Sequence, residues 1–430
     1  MHAREVHSAS MFRFAHASDL HLDSPFRGLV DVAPHVAAAL RQATFDAYEA
    51  IIDLCIERDV DALLVAGDVF DGADRSLKAQ RRFVDGLQRL NDAAIRAFIC
   101  HGNHDPLDGW EATIPFPDNV HRFGAEVECV PLVLGDPSSP VVCGVSYPTR
   151  EVRESLLPQF PAHEPHRYTI GLMHANVGAN RDHDAYAPCS LQDLQATGYD
   201  YWALGHVHTR QVLHEQSPTV VYPGNTQGRH PNERGARGVY IVELSGSGTT
   251  ALEFVAVDTV RWERIEVAID EIDDDGVLAA TLEQHVADAV RAAGGRHLVS
   301  RLRLTGRGPL HESLARADYI EDLREQLNEL WVARQPFAFC GQIENATALP
   351  INREELSRGQ DFVGDFLRLV DETRDDEDMV GELQRELAAL YEHNRARRYL
   401  RDELPSLDEI RALIAGAENL AVSGLLEREP

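Results

Sequence analysis

The sequence predicts an α/β fold, followed by a small α+β module and a helical tail. Apolar runs of strand length alternate with segments of helical periodicity over residues 12–258, and the alternation resumes on a smaller scale over 261–345. Hydrophobic residues make up 44% of the chain and charged residues 26%, as in a globular protein. At about 150 residues per domain, the 430 residues correspond to two or three domains.

In the first segment, strands and helices alternate over residues 12–130, and the alternation continues with less helix after them. Pro34 suits the first turn of a helix, and apolar residues keep helical spacing from there to Arg58. The run Ala62–Ala66 is continuously apolar, which is typical of a short strand buried on both faces. The predicted strands are 12–17, 62–66, 95–100, 168–173, 201–204, 220–222, 238–244 and 251–257, and the predicted helices are 34–58 and 76–91.

The module at 261–345 alternates in the same manner, and the tail at 350–430 is predicted to be helical. Leucines recur at helical spacing from Arg353 onward, and residues 353–430 carry 11 basic and 20 acidic side chains, unlike a basic arm for nucleic acid. The apolar stripe of the tail packs either on the chain's own body or on a partner. The predicted elements of the module are strands at 262–267, 297–305 and 336–339, and helices at 276–293 and 310–330.

The chain is strongly acidic, with a net charge of −29 from 70 acidic and 41 basic residues. This charge disfavours general electrostatic adhesion to nucleic acid. It leaves room for a local basic groove, or for bound metal ions that supply the positive charge themselves.

The sequence shows no sign of a membrane span or of a secretory signal. No stretch approaches the ~18 apolar residues of a spanning helix, and the first ten residues are polar, with Met11 as an alternative start before the first strand. The cysteines form no C-x-x-C pair, so we expect reduced, buried thiols in a cytoplasmic protein, not a zinc knuckle or a disulfide framework. The six cysteines are Cys55, Cys100, Cys129, Cys143, Cys189 and Cys340.

Asp, His and Asn side chains stand at the points where five predicted strands end. Ligand sites in α/β folds lie at the carboxyl ends of strands, and oxygen and imidazole groups are ligands of divalent cations. A single histidine is more often structural, but burying so many carboxylates and imidazoles without a metal would be costly. The set comprises Asp19, His21, Asp68, Asp71, Asn103, His104, His174, His206 and His208.

These residues stand in five motifs that resemble those of the calcineurin-like metallophosphoesterases. Within that superfamily the chain resembles the SbcD-type DNA-repair exonucleases, especially their YhaO-like branch, on the runs 22–26 (LDSPF) and 222–230 (YPGNTQGRH). The resemblance implies a four-layer α-β-β-α sandwich over 12–258, with 261–345 as a capping domain. The five motifs are Asp19-Leu20-His21, Gly67-Asp68-Val69-Phe70-Asp71, Gly102-Asn103-His104-Asp105, His174 and Gly205-His206-Val207-His208.

The resemblance implies a site for two divalent ions, with Mn²⁺ as the expected metal, although the ligands alone would also accept Fe, Zn or Co. Two ions neutralise the phosphate oxygens of an anionic substrate and make a water molecule nucleophilic at neutral pH. Asp68 is the expected bridging ligand, because a carboxylate offers two oxygens. The expected ligands of one ion are Asp19, His21 and His208, and those of the other are Asn103, His174 and His206.

His104 resembles the catalytic histidine of the family, which stabilises the transition state or protonates the leaving oxygen. Asp105 is expected to orient His104. Many SbcD-type relatives carry a histidine where this chain has Asp71. Arg229 and His230 follow a glycine-rich turn, where they either contact substrate phosphate or are solvated side chains of an ordinary turn.

The resemblance implies a metal-dependent nuclease that hydrolyses DNA phosphodiester bonds together with an SMC-like ATPase of the SbcC type. The tail would then dock the coiled coil of the ATPase, and the nuclease would form a homodimer. The alternative is a phosphoesterase for a smaller substrate, such as a nucleotide or a phosphoprotein, which the acidic net charge favours and the capping module and tail disfavour. A non-catalytic scaffold is a third reading, which the complete motifs disfavour.

Overall fold

The computed structural model describes residues 12–26, 29, 32–72, 76–109, 114–136, 138–163, 167–178, 186–245, 248–350, 352–392 and 404–426. Residues 1–11, to which the predictions on a signal sequence and an alternative start refer, lie outside the described residues. No helix among the described residues is long and apolar enough to cross a bilayer.

The strands that the sequence predicts in the first segment lie close to their predicted bounds. They are β1 (Phe12–Ala17), β2 (Ala62–Ala66), β3 (Arg96–Cys100), β4 (Val120–Arg122), β5 (Glu128–Pro131), β6 (Val141–Gly144), β7 (Thr169–His174), β8 (Tyr201–Gly205), β9 (Gln211–His214), β10 (Thr219–Tyr222), β11 (Gly238–Ser245), β12 (Gly248–Ala256), β13 (Val260–Ala268), β14 (His297–Thr305) and β15 (Ala338–Asn345).

The two long helices of the first segment also match their predicted bounds. The helices are α1 (Pro34–Glu57), α2 (Leu77–Asp92), α3 (Leu191–Ala196), α4 (Asp275–Ala292), α5 (His311–Leu314), α6 (Ala317–Trp331), α7 (Arg353–Ser357), α8 (Phe362–Asp375), α9 (Glu377–Glu392) and α10 (Leu407–Leu426).

Two six-stranded sheets form the main body, with the orders β12-β11-β1-β2-β3-β4 and β5-β6-β7-β8-β10-β9. Strands β1 to β4 are parallel to one another, and so are β6, β7, β8 and β10. Parallel strands present their carboxyl ends at the same edge of a sheet, so the loops that follow them converge. A smaller sheet has the order β13-β14-β15.

Alternating side chains of the central strands build the layers. In β2, Leu63 and Val65 pack in a cluster with residues of α1 and α2, whereas Leu64 and Ala66 pack in a cluster with residues of the second sheet. Successive side chains of a strand point to opposite faces, so β2 is buried by helices on one side and by strands on the other.

The second sheet is covered on its outer face as well. Met173 and Leu204 belong to a further cluster that includes Leu194 of α3 and Phe160, and not to the cluster between the sheets. The order of layers is therefore helix, sheet, sheet, helix, which confirms the predicted four-layer sandwich.

Several short elements escape the sequence prediction. β4, β5, β6, β9 and α3 are only three to six residues long, too short to show a period. The predicted helix at 310–330 is divided into α5 and α6, and the strand predicted at 336–339 extends to Asn345.

The expectation of six reduced, buried thiols is wrong for two cysteines. Cys129 and Cys143 form a disulfide, and Cys129 is exposed. The two residues are directly opposite each other in the antiparallel pair β5–β6, with their Cα atoms 4.0 Å apart. The remaining cysteines are buried and form no disulfide among the described residues, as predicted.

The chain divides into two compact units, neither of which is continuous in sequence. One contains Met1–Arg264, Asp288–Ser300 and Leu330–Gly341. The other contains Ile265–Ala287, Arg301–Glu329 and Gln342–Pro430. The domain boundaries at 12–258, 261–345 and 350–430 stay predictions.

The tail helices lie in the second unit. Arg353 at the start of α7 contacts Asp371 of α8 at 2.6 Å and Glu418 of α10 at 2.6 Å, which joins three helices through one guanidinium group. The tail is helical over its described residues, as the leucine spacing predicts.

Candidate metal centre

The predicted ligands lie at the carboxyl ends of strands from both large sheets. Asp19 and His21 follow β1, and Asp68 follows β2. His174 is the last residue of β7 in the second sheet. Its ring Nδ1 donates to the backbone carbonyl of Ala66 at 2.9 Å, which joins the two sheets directly beside the site.

One group of ligand atoms comes from Asp19, His21 and His208, and all three lie within 4.8 Å of one another. The Nε2 atoms of His21 and His208 are 3.1 Å apart, and His208 Nε2 is 3.7 Å from Asp19 Oδ1. Nitrogen ligands bind a divalent ion at about 2.0–2.1 Å, so two of them on one ion come roughly 3 Å apart. The spacing suits a shared cation.

A second group comes from Asp19, Asp68 and His174. His174 Nε2 lies 3.4 Å from Asp68 Oδ2 and 3.1 Å from Oδ1 of Asn103. The ring centroid of His206 is 5.2 Å from that of His174, and the backbone N–H of His206 donates to Asp19 at 3.2 Å. All seven residues that the resemblance implies as ligands therefore lie in one cluster; their assignment to individual ions stays a prediction.

The backbone at the site takes conformations that side chains rarely tolerate. Positive φ angles occur at Asp19 (52°), His21 (43°), Asp68 (52°) and His206 (102°). Such conformations cost roughly 1–3 kcal/mol each for residues other than glycine and persist where the surrounding structure imposes them. At Gly102 a Cβ atom would lie 2.3 Å from Oδ1 of Asp68, so the turn needs glycine for space.

The charges in the site act strongly on one another. Burial alone would raise the pKa of Asp68, but the charge and hydrogen bond of His174 hold it well below its ordinary value. Burial lowers the pKa of His21 to about 4, and the nearby Arg229 charge adds to this effect. At neutral pH, His21 is therefore uncharged and offers a lone pair, as a metal ligand must.

His174 behaves differently in the protein alone. Burial disfavours its charged form, yet the Asp68 carboxylate raises the pKa of His174 to about 9. Since Nδ1 donates to Ala66, the second proton sits on Nε2, the nitrogen that faces Asp68. A metal cation bound in place of the proton on His174 Nε2 would likewise be attracted by the Asp68 carboxylate.

The residues fit a divalent metal centre. Asp19 and Asp68 are each 1% exposed, and Asp19 Oδ1 has no hydrogen-bond partner among the described residues. Buried carboxylates of this kind are normally paired or bound to a metal, because an uncompensated buried charge costs several kcal/mol. The donors are carboxylate, imidazole and amide groups, which suit Mn, Fe, Zn or Co.

His104 lies beside the cluster, and its orienting partner is Asp71. The Nδ1 atom of His104 is 2.9 Å from Oδ1 of Asp71, and its backbone N–H donates to Asp68 at 2.9 Å. The hydrogen bond with Asp71 raises the pKa of His104, which favours the protonated ring.

The prediction that Asp105 orients His104 is wrong. The Asp105 carboxylate accepts the backbone N–H groups of Val69 and Gly102 at 2.9 and 2.8 Å, and it lies 3.2 Å from His101 Nδ1. It therefore fixes the motif loops after β2 and β3 to each other. Sequence adjacency to His104 is misleading, because neighbouring side chains in a tight loop point in different directions.

Of the two predicted substrate contacts, Arg229 borders the site. Arg229 Nη1 donates to Ser24 Oγ at 2.6 Å and lies 3.6 Å from Asp71 Oδ2. The side chain of His230 is exposed, and its Nδ1 accepts the backbone N–H of Asn232 at 3.2 Å. Contact of either residue with substrate stays a prediction.

Two contributors to the site were not predicted. Ser24 donates to Asp71 Oδ2 at 2.7 Å, and Glu233 Oε1 lies 2.7 Å from His208 Nδ1. Ser24 stands in the run 22–26, which indicates the YhaO-like branch but does not predict the contact of Ser24 with Asp71. Glu233 lies eleven residues after the end of β10, in the long loop before β11, so no strand end marks it in the sequence.

Comparison with known proteins agrees with this geometry. The model of the calcineurin-like phosphoesterase family matches residues 12–210, and that of the middle domain of metallophosphoesterase YhaO matches residues 262–348. The chain is 33% identical over 359 residues to the uncharacterized metallophosphoesterase YhaO of Bacillus subtilis, covering 83% of this chain and 86% of that protein. The chain therefore belongs to the calcineurin-like metallophosphoesterases of the YhaO type, which confirms the predicted family.

More distant relatives are similar over part of the chain. The DNA double-strand break repair protein Mre11 of Methanocaldococcus jannaschii is 23% identical over 279 residues, 60% of this chain and 69% of that protein. Mre11 of Aeropyrum pernix is 28% identical over 276 residues, 61% of this chain and 64% of that protein. The calcineurin-like phosphoesterases use a dinuclear divalent metal centre, in agreement with the ligand groups described above.

Substitutions of Asp68 and His104 should distinguish residues needed for metal binding from residues needed only for catalysis. We expect Asp68→Ala to abolish phosphoester hydrolysis and to lower the metal content, because it removes a buried carboxylate of the cluster. We expect His104→Ala to abolish hydrolysis while the bound metal is retained. Metal content by atomic emission and turnover of an aryl phosphodiester check both; wild-type turnover in His104→Ala would refute the role of that residue.

Asp71 should set the pH dependence of hydrolysis through His104. If His104 acts in its protonated form, activity falls as the pH rises through its pKa. Asp71→Asn removes the anion that raises this pKa, so the alkaline limb of kcat/KM should move to lower pH. Ser24→Ala, which removes a neutral partner of Asp71, is the control and should leave the limb in place. An unmoved limb in Asp71→Asn would count against the pair.

Proposed function

We propose that this metallophosphoesterase is a metal-dependent DNA nuclease that hydrolyses phosphodiester bonds. The observation that carries phosphoester hydrolysis is the oriented pair of His104 and Asp71 beside a buried cluster of oxygen and nitrogen ligands. This arrangement combines a proton donor with a site for two cations. The Mre11 relatives, whose name refers to repair of DNA double-strand breaks, support DNA as the substrate class.

The residues that would hold two ions, with Mn²⁺ as the proposed metal, are Asp19, His21, Asp68, Asn103, His174, His206 and His208. Bound there, the ions would neutralise the phosphate oxygens and activate a water molecule as the nucleophile. The loops at the strand ends hold these side chains together, and all of them except the partly exposed His208 are buried.

His104 would donate a proton to the leaving oxygen. Its ring is 5.0 Å from that of His21, centroid to centroid, so it stands at the rim of the ligand cluster. The Asp71 carboxylate fixes the ring by accepting the hydrogen bond that Nδ1 of His104 donates. This contact would leave Nε2 of His104 to face the substrate. The side chain of His104 is 34% exposed, whereas the ligands His21 and His174 are buried, as expected for a group that must reach a substrate.

Arg229 would contribute positive charge at the edge where the leaving group lies. Its guanidinium carries one contact to Ser24 and lies near Asp71, so it faces the same side as His104. Local cations of this kind and the two metal ions would offset the net charge of −29 over the short range that matters for contact with phosphate.

A phosphoesterase for a smaller substrate is the second candidate. The net charge of −29 favours it, because an acidic protein is repelled by a long polyanion. The same metal cluster and His104 would serve both substrates, so only turnover can separate the two functions.

We also propose a complex with an SMC-like ATPase of the SbcC type, docked on the tail, in a cytoplasmic protein that forms a homodimer. In α8, Phe362 and Leu369 are 70% and 56% exposed and Phe366 is half-buried. The three residues stand at helical spacing on one stripe, which we call the α8 stripe. An exposed apolar stripe is the kind of surface on which a coiled coil packs.

Parallel assays on DNA and on an aryl phosphate ester should identify the substrate class. We expect purified protein with Mn²⁺ to degrade linear double-stranded DNA, and the ATPase to increase the rate. His104→Ala, prepared in parallel, should be inactive and excludes a contaminating nuclease. If DNA stays intact with Mn²⁺ and the ATPase while an aryl phosphate ester is cleaved rapidly, the small-substrate function is the correct one.

The α8 stripe should be required for binding of the ATPase. We expect the double variant Phe362→Ser/Leu369→Ser to lose at least tenfold in affinity in a pull-down or by interferometry, since it removes two exposed apolar anchors. Leu134→Ser is the matched control, because Leu134 is 67% exposed and lies in the other compact unit. Equal affinity of the double variant and the control would refute docking on this stripe.

A further inference from the structure

Glu233 occupies a position between a predicted metal ligand and a predicted substrate contact. Its Oε1 lies 2.7 Å from Nδ1 of His208, and its Oε2 accepts the backbone N–H of Arg229 at 2.7 Å. Both oxygens are thus engaged, and the side chain is only 14% exposed. One carboxylate holds two functional residues that are 21 positions apart in the sequence.

The contact with His208 decides which ring nitrogen carries the proton. A neutral imidazole has one donor and one acceptor nitrogen, and an ionised carboxylate can only accept. Beside Glu233, Nδ1 of His208 therefore carries the hydrogen. The lone pair is then on Nε2, which lies 3.1 Å from His21 Nε2 and 3.7 Å from Asp19 Oδ1.

The rest of His208 is held independently of Glu233. Arg237 donates to its backbone carbonyl, and Asn225 donates to the same oxygen from its backbone N–H at 3.3 Å. The loop would therefore keep its path if Glu233 were changed. What depends on Glu233 is the rotation of the ring and the position of its proton.

We propose that Glu233 is a positioning residue of the metal centre, which fixes the His208 ring with Nε2 ready to bind a cation and places Arg229 at the same time. The inference rests on the metal centre of the proposed function. Carboxylates that orient a ligand histidine typically contribute 10–100-fold in metal affinity. Glu233 adds a second task, because the same group also fixes the backbone of Arg229, the predicted substrate contact.

Glutamine at this position separates the two tasks. Its side chain offers one acceptor oxygen and one donor amide, so it cannot accept from both His208 and Arg229. If the oxygen keeps the Arg229 N–H, the amide faces Nδ1 and forces the hydrogen onto Nε2, where it blocks a cation. If the oxygen keeps His208, the amide opposes the Arg229 N–H. Either arrangement disturbs the site without changing side-chain volume.

The test compares Mn²⁺ binding to metal-free, full-length wild type, Glu233→Gln and Glu128→Gln by isothermal titration calorimetry. Glu128 is the matched control, because its carboxylate lies 3.4 Å from His121 Nε2 outside the ligand cluster. We expect Glu233→Gln to bind at least one of two ions about 10–100-fold more weakly and Glu128→Gln to bind like wild type. Wild-type affinity for both ions in a folded Glu233→Gln protein would overturn the proposal.

A measurement on the unaltered protein keeps the inference testable if Glu233→Gln does not fold. Nitrogen-15 NMR of the metal-free wild type, recorded at a pH where the His208 ring is neutral and with His208 assigned by comparison with His208→Gln, should show hydrogen on Nδ1. Hydrogen on Nε2 would overturn the proposal, and so would a wild type that binds no Mn²⁺. Intact DNA beside normal Mn²⁺ binding would refute only the nuclease function, because neither readout uses turnover.

Discussion

The concentration of buried carboxylates and imidazoles at the strand ends is the constraint on which the site depends. Asp19 and Asp68 are almost completely excluded from water, in a position where negative charge is expensive unless a cation balances it. The backbone takes positive φ angles at both residues to bring them together. Two sheets packed face to face supply the rigidity that holds this conformation, because their central strands are buried on both sides.

The parts of this arrangement that could be predicted are those that local sequence determines. A buried strand such as β2 is a continuous apolar run, and the Gly67-Asp68 step marks where it ends. The family motifs follow such runs, so the long strands and the clustering of the seven predicted ligands were accessible. The alternation of long helices with strands fixed the class of fold for the same reason.

The parts that could not be predicted depend on contacts between segments distant in the sequence. Asp71, and not the adjacent Asp105, orients His104, since the loop after β2 meets the loop after β3 only in the folded chain. The pairing of Cys129 with Cys143 follows from the register of β5 and β6, and the turn residues at 135–140 between these strands do not specify that register. Glu233 is likewise remote from His208, and only the fold brings their side chains into contact.

The hydrogen bond from His174 to the carbonyl of Ala66 has a consequence for the protein as a whole. It links the end of β7 to the end of β2, so the ligand cluster lies where the two sheets meet. Cations bound there would hold the two sheets together. Because such binding requires the folded state, it would raise the free energy of unfolding of the protein. Metal supply in the cell would then govern how long the folded enzyme survives as well as how fast it works.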